Sequence, residues 1–188
     1  AELRDLAARR RKILRPKQKA GGLSYKGPVL IIAGSCASEE EKRIRAYQEL
    51  LFSSLEGFEG EIVSGGTTNG IAGMVGGLFQ GMGKKKSRKF RKIGYLPASL
   101  PATARLDERY DLLVETGGID FTPLEPLHMW ADLLVSGIQP SRVKLIGIGG
   151  GQIAALEYRL ALCLGADVGI VTDSGRAAQE LLEDDRWR

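Results

Sequence analysis

The feature that most constrains this chain is an alternation: short apolar runs, nearly all closed by glycine or a small polar residue, separated by stretches of helical periodicity. The runs cover residues 29–33, 61–64, 92–96, 111–115, 143–148 and 168–171. Several are apolar throughout, as strands covered by helices on both faces must be. Helices of about ten to fifteen residues between such strands imply right-handed crossovers and a parallel sheet. The expected fold is therefore α/β, doubly wound and Rossmann-like, with a mostly parallel sheet.

The helices are legible from their caps and stripes. The first is expected after Ser38, with Glu41 closing a capping box and Ile44, Tyr47, Leu51 and Leu55 as its buried stripe. Others are expected over 69–79, 124–134, 153–164 and 175–182. Residues 1–27 read as a basic amino-terminal helix and linker, broken by Pro16 and the Gly21-Gly22 pair, and residues 28–188 as one domain. The first segment suggests a connector from an effector domain upstream.

Charge is unevenly spread. Residues 1–20 hold eight Lys/Arg and residues 84–92 hold seven, which leaves 12 basic against 21 acidic residues in the rest of the chain. Such blocks can meet nucleic acid, anionic lipid or an acidic partner. Phe90 is the only aromatic near either block, so base stacking has little support and nucleic acid is not the expected partner. The stretches at 83–92 and 97–109 read as excursions at strand ends, where lids and specificity loops sit.

The two cysteines, Cys36 and Cys163, form no CxxC pair, so neither a zinc site nor a disulfide scaffold is expected. No apolar stretch is long enough for a membrane helix, and the first residues, charged from Glu2 onward, are not expected to act as a signal peptide. A cytoplasmic setting is the expectation.

The strand ends carry the candidate chemistry. In open sheets the ligand crevice lies outside the carboxyl ends of the strands, near the switch in strand order. The first strand ends in Gly34-Ser35, and the second in Gly65-Gly66-Thr67-Thr68-Asn69-Gly70. Glycines let backbone approach a phosphate while the next helix directs unpaired N–H groups at it; a tight structural turn is the alternative. The segment is neither GxGxxG nor GxxxxGK[ST]. Gly149-Gly150-Gly151-Gln152 repeats the device, and Ser174 and Arg176 after the last strand can bond and neutralise an anion.

Thr116-Gly117-Gly118 and Asp120 follow the fourth strand and lead to Glu125. Glu125 can face the crevice, orienting a ribose or acting as a general acid/base, or it can close a capping box with Thr122 across Pro123. His128, the only histidine, has no Ser/His/Asp or metal set around it by spacing. An anionic, nucleotide-derived small molecule is the expected ligand, with no cofactor required and no metal.

On the glycine-rich turn at Gly65-Gly66-Thr67, Glu115-Thr116-Gly117-Gly118 and Gly149-Gly150-Gly151, the chain resembles the SLOG superfamily. That group includes the LOG-type phosphoribohydrolases, the DprA/Smf proteins and the amino-terminal domain of TRPM channels, and the resemblance is closest to the bacterial TRPM-type branch. In the LOG motif PGGxGTxxE, the glycine pair resembles Gly117-Gly118 and the glutamate Glu125. Thr116 stands where the motif has proline, and the spacing to Glu125 is one residue longer.

The resemblance implies a homo-oligomeric sensor for an ADP-ribose-like or cyclic ADP-ribose-like second messenger, regulating a linked or partner effector. Two alternatives follow from the other branches. One is an N-glycosidic hydrolase of a nucleoside monophosphate or NAD-like substrate, with Glu125 catalytic. The other is a DprA-like nucleic-acid-associated module.

Overall fold

The computed structural model describes residues 23–34, 41–78 and 89–187, with backbone alone for 41–46. Six strands, all parallel, form one sheet: β1 (Val29–Gly34), β2 (Gly60–Ser64), β3 (Phe90–Leu96), β4 (Leu112–Glu115), β5 (Val143–Ile148) and β6 (Asp167–Ile170). Among the described residues they alternate with helices α1 (Glu41–Ser54), α2 (Gly70–Gly77), α3 (Leu124–Val135), α4 (Gln152–Leu164) and α5 (Arg176–Glu183). The spatial order is β4-β3-β2-β1-β5-β6. The chain therefore winds outward from β1 to β4, then crosses back to lay β5 on the other side of β1. That reversal between β1 and β5 is the switch point of a doubly wound sheet.

The alternation of side chains along a strand divides the core in two. Val29, Ile31 and Ala33 of β1 pack with Met129, Trp130 and Leu133 of α3, Tyr158 of α4 and Ala178 of α5. Leu30 and Ile32 face the other way, onto Leu51, Ile71, Met74 and Val75. Helices α1 and α2 thus cover one face and α3, α4 and α5 the other. Both faces of β1 are buried, which is why its sequence is a continuous apolar run.

Helix α2 is short and glycine-rich, a poor helix former on propensity. Side chains from the β3–β4 region hold it. The buried Lys92 ammonium donates to the Gly76 carbonyl, Arg109 to the Gly73 carbonyl at 3.0 Å, and the Tyr110 hydroxyl to the Ala72 carbonyl at 2.7 Å. Cations at the last turn also complement the helix dipole, a contribution of about 0.3–1 kcal/mol, or up to about 2 when partly buried. The opposite end of the helix is left to point at the crevice.

Among the described residues no helix is long and apolar enough to cross a membrane. The basic segment 1–22, the Gly21-Gly22 break, Ser35, Cys36, the Ser38 cap and residues 84–88 of the second basic block lie outside the described residues.

Candidate functional site

A cleft of about 680 Å³ lies over the carboxyl ends of β1 and β2 beside the switch point. That size is within the range of small-molecule sites, about 300–1,000 Å³. Ile32, Ala33 and Gly34 of β1 and Ser64 and Gly65 of β2 form its base. Thr67, Asn69, Ile71 and Ala72 bring in the start of α2, and Gly151, Gln152, Ile153, Ala154 and Glu157 the start of α4. Phe121, Glu125, Pro126 and Met129 close the α3 side, with Pro101, Thr103 and Ala104 opposite.

Two helices present their amino termini here. Neither Asn69 at α2 nor Gly151 at α4 supplies a side-chain cap, so first-turn N–H groups remain for a ligand or water. The two turns that deliver these helices are built differently.

The β2–α2 turn is stitched to residues 103–107. Thr67 pairs with Leu106 in an isolated antiparallel bridge, Thr68 N–H donates to the Arg105 carbonyl at 2.9 Å, and Asp107 N–H to the Gly66 carbonyl at 3.0 Å. The Asn69 side chain donates to the Thr103 carbonyl at 3.2 Å. The stretch at 97–109 is thereby a strap that forms one wall of the cleft.

Gly66 does not line the cleft. With φ of +70°, its missing side chain faces the core: a Cβ would stand 2.9 Å from Leu113 Cδ2 and 3.2 Å from the Gly94 Cα. Its side-chain direction is set by close passage over β3. A substitution there strikes the fold before any ligand, so at Gly66 the glycine answers to the tight turn and not to the approach of a phosphate.

The β5–α4 turn is held from behind. Gly149 N–H donates to the Ser174 hydroxyl at 2.9 Å, and the Gly149 and Gly150 carbonyls accept from Ala178 and Ala177 N–H. Gly150, at φ +98°, would place a Cβ 2.5 Å from that of Ala154. These glycines and the buried Ser174 shape the turn, and Gly151 and Gln152 are the residues that reach the cleft. A methyl group on Gly151 would lie 3.7 Å from the Arg176 guanidinium, so that cation stands beside the start of α4.

Glu125 lines the cleft, but its oxygens are engaged. One accepts the Thr116 hydroxyl and the other Thr122 N–H at 2.7 Å, while the Thr122 hydroxyl accepts Leu124 N–H. This is the capping arrangement one reading of the sequence anticipated. Thr116 is thus a buried partner of Glu125 and is not on the cleft surface; Gly117, Gly118 and Asp120 are exposed outside the cleft, as is His128. Thr68, Gly70, Gly149, Gly150, Ser174 and Arg176 also lie off its surface. Gly34, Gly65, Thr67, Asn69, Glu125, Gly151 and Gln152 are the sequence-derived candidates that the fold gathers around one space.

Several cleft residues escaped the sequence analysis. Tyr95 from β3 donates to Asp132 at 2.7 Å and contacts the Tyr25 hydroxyl at 3.0 Å; burial, then the neighbouring Tyr25, raises its pKa and keeps it protonated. Glu157 was also missed. It is half-buried in the second turn of α4, and burial pushes its carboxyl up to about 7. Its signal was an acid on the stripe Ala154, Tyr158 and Ala161 that α4 turns to the core.

No protein-family model and no curated protein matches the chain. Its fold is similar to that of the molybdenum cofactor binding protein from the phototrophic bacterium Rippkaea orientalis. That match has 22% identity, covers 85% of this chain and 84% of that one, and has a TM-score of 0.50. The molybdenum cofactor carrier protein from Chlamydomonas reinhardtii matches at 14% identity over 84% of this chain and 98% of that one, TM-score 0.44. Another structure of the carrier protein from Chlamydomonas reinhardtii gives 13%, 84%, 97% and 0.41.

The likeness to the Rippkaea orientalis protein overturns the resemblance to the SLOG superfamily and its TRPM-type branch. The sensor of ADP-ribose-like messengers, the N-glycosidic hydrolase and the DprA-like module fall with it, as does the expectation that no cofactor is required. The geometry supplies the physical reason. The segment compared with the LOG motif contributes exposed glycines outside the cleft, and its glutamate is spent on a helix cap.

Proposed function

We propose that this protein binds and carries the molybdenum cofactor in the cleft at the β1–β5 switch. The observation that carries the reading is the cleft's mixed lining: two uncapped helix starts that bring N–H groups to it, together with the apolar side chains of Ile71, Phe121, Pro126, Met129 and Ile153. The cofactor has matching parts. It is a reduced pyranopterin that carries a terminal phosphate and chelates molybdenum through two sulfurs of its own. The fold likeness to a molybdenum cofactor binding protein supports the same reading.

The α4 start, with N–H groups of Gln152 and Ile153 and the nearby Arg176 guanidinium, is suited to the phosphate. Thr67, Asn69 and the α2 start offer donors for the oxygen-bearing metal end. Among the described residues no cluster of His, Cys, Asp or Glu could hold a metal ion. The cargo's own sulfurs would keep the metal, and the chain would grip the organic part. A carrier needs nothing more: it encloses a labile molecule without reacting with it.

The test is retention. Molybdenum cofactor released anaerobically from a molybdoenzyme is mixed with the protein and passed through gel filtration, and each fraction is assayed for molybdenum and, after oxidation, for pterin fluorescence. Stoichiometric co-elution of both is expected. Passage of both in the small-molecule volume, with folded protein at concentrations of tens of micromolar, would overturn the proposal.

A further inference from the structure

We propose that Glu157 reads the hydrogen-bond-donor edge of the bound ring, so that the cleft selects the 2-amino-4-oxopyrimidine edge that pterins share with guanine. The inference rests on the carrier reading for the position of the ring, and it adds a specificity-determining residue to it.

The polar groups around the cleft differ in whether the fold supplies their partners. Glu125, the other carboxylate on its surface, has one oxygen on the Thr116 hydroxyl and the other on Thr122 N–H. The Tyr95 hydroxyl is taken up by Asp132 and Tyr25. Glu157 has no hydrogen-bond or ion-pair partner among the described residues, and it opens on the cleft. An unpaired carboxyl beside an apolar wall costs free energy in the empty site, and that cost is recovered only by a ligand with donors.

Its place along the helix fixes which part of the ligand it meets. Glu157 is five residues beyond Gln152, about 7.5 Å along α4 at about 1.5 Å per residue. The phosphate-binding part is at the helix start, so Glu157 addresses the portion of the ligand remote from the phosphate. Met129 and Pro126 line the same cleft from α3, which suits a flat heterocycle.

A carboxylate offers two in-plane acceptors and matches two adjacent N–H donors in a bidentate pair. A 2-amino-4-oxopyrimidine presents such a pair, its ring N–H and exocyclic amine. Replacement of the amine by oxygen, as in a lumazine, turns one donor into an acceptor facing the carboxylate. In a half-buried site that mismatch leaves both groups unsatisfied. Burial, the cause of the raised carboxyl, is consistent with a group waiting for a partner.

The experiment pairs two probes with two proteins. Fluorescence titrations with 6-hydroxymethylpterin and 6-hydroxymethyllumazine are run on the wild-type protein and on Glu157→Gln at pH 7.5, alongside gel-filtration retention of the molybdenum cofactor by both. Wild-type protein is expected to prefer the pterin about tenfold or more, and the variant to lose that preference to within about threefold. Thermal unfolding checks the variant's fold, and the wild-type preference stands as a test independent of any variant.

Retention of the cofactor by both proteins, with no wild-type preference for pterin over lumazine, would overturn the role of Glu157 and leave the carrier reading standing. A wild-type preference that Glu157→Gln abolishes, with no retention of the cofactor, would support the edge reader and sink the carrier reading. A preference that survives unchanged in folded Glu157→Gln would assign selectivity to other groups and overturn the inference, as would failure of the wild-type protein to bind either probe.

Discussion

The two sides of the cleft spend their polar groups differently. On the β2 and α3 side, the turn from Gly66 to Asn69 is bonded to the strap at 103–107, and Glu125 has one oxygen on Thr122 N–H at the start of α3 and the other on the Thr116 hydroxyl. On the α4 side, Gly151 begins a helix with no side-chain cap, and Glu157 has no partner among the described residues. Both sides leave a helix start uncapped, but the turn and carboxylate on the first side are engaged without a ligand, whereas the carboxylate on the second is not. A residue's presence on a binding surface therefore says little about its role until its hydrogen bonds have been assigned.

The sharpest way to break this comparison is at Gly66. Because a Cβ there meets Leu113, Leu96 and Gly94 on the core side, Gly66→Asp forces a charged side chain at positive φ against β3. We expect a loss of about 4 kcal/mol or more, enough to leave little folded protein. Urea unfolding monitored by circular dichroism reads it directly. A cooperative transition within about 1 kcal/mol of wild type would show that the turn is not fixed by the core.

Glu125→Ala comes next. It orphans Thr122 N–H and leaves the buried Thr116 hydroxyl with only the longer contacts to the Leu96 and Gly117 carbonyls, at 3.3 and 3.2 Å, and we expect a loss of about 1–2 kcal/mol in the same assay. A cost below about 0.5 kcal/mol would mean that this carboxylate is as free as Glu157 and would erase the contrast.

Glu157→Gln is expected to act in the opposite direction, and by no more. The folded carboxyl titrates near 7, above its ordinary 4.5, so the folded state holds the proton more tightly than the unfolded chain. Stability from this group is fully present below about pH 4.5 and is lost as pH rises through about 7. A shift of that size corresponds to about 3 kcal/mol at most, and access to water through the cleft should reduce it to about 1–2. Of the groups around it, Glu125 has both oxygens engaged, Tyr95 remains protonated, and Arg176 stands nearer the helix start. The variant should therefore gain on wild type between about pH 4.5 and 8, measured as urea midpoints at both values. Parallel pH profiles for the two proteins would show that Glu157 is not held away from water.

Much of the fold was legible because its signals are local. Expected strands at 29–33 and 143–148 match Val29–Gly34 and Val143–Ile148, and the helix expected over 153–164 begins one residue earlier at Gln152. The Glu125 cap was legible for the same reason, since its partners lie within nine residues. Gly66 was misassigned because its constraint comes from Gly94, which lies beside it only once β2 and β3 pair. The strap at 103–107 depends on a bridge between Thr67 and Leu106 that no local pattern announces. Glu157 was missed because an acid inside an amphipathic helix looks like any solvated one. Only the closure of α3 across from α4 makes it part of a cleft.

Amide hydrogen exchange with and without the anaerobically prepared molybdenum cofactor reads the helix starts themselves. The account predicts slowed exchange in peptides covering 65–72 and 151–157 when the cofactor is present, with little change in β6 or α5. Unchanged exchange at both helix starts under saturating cofactor, or protection confined to the far side of the sheet, would contradict it.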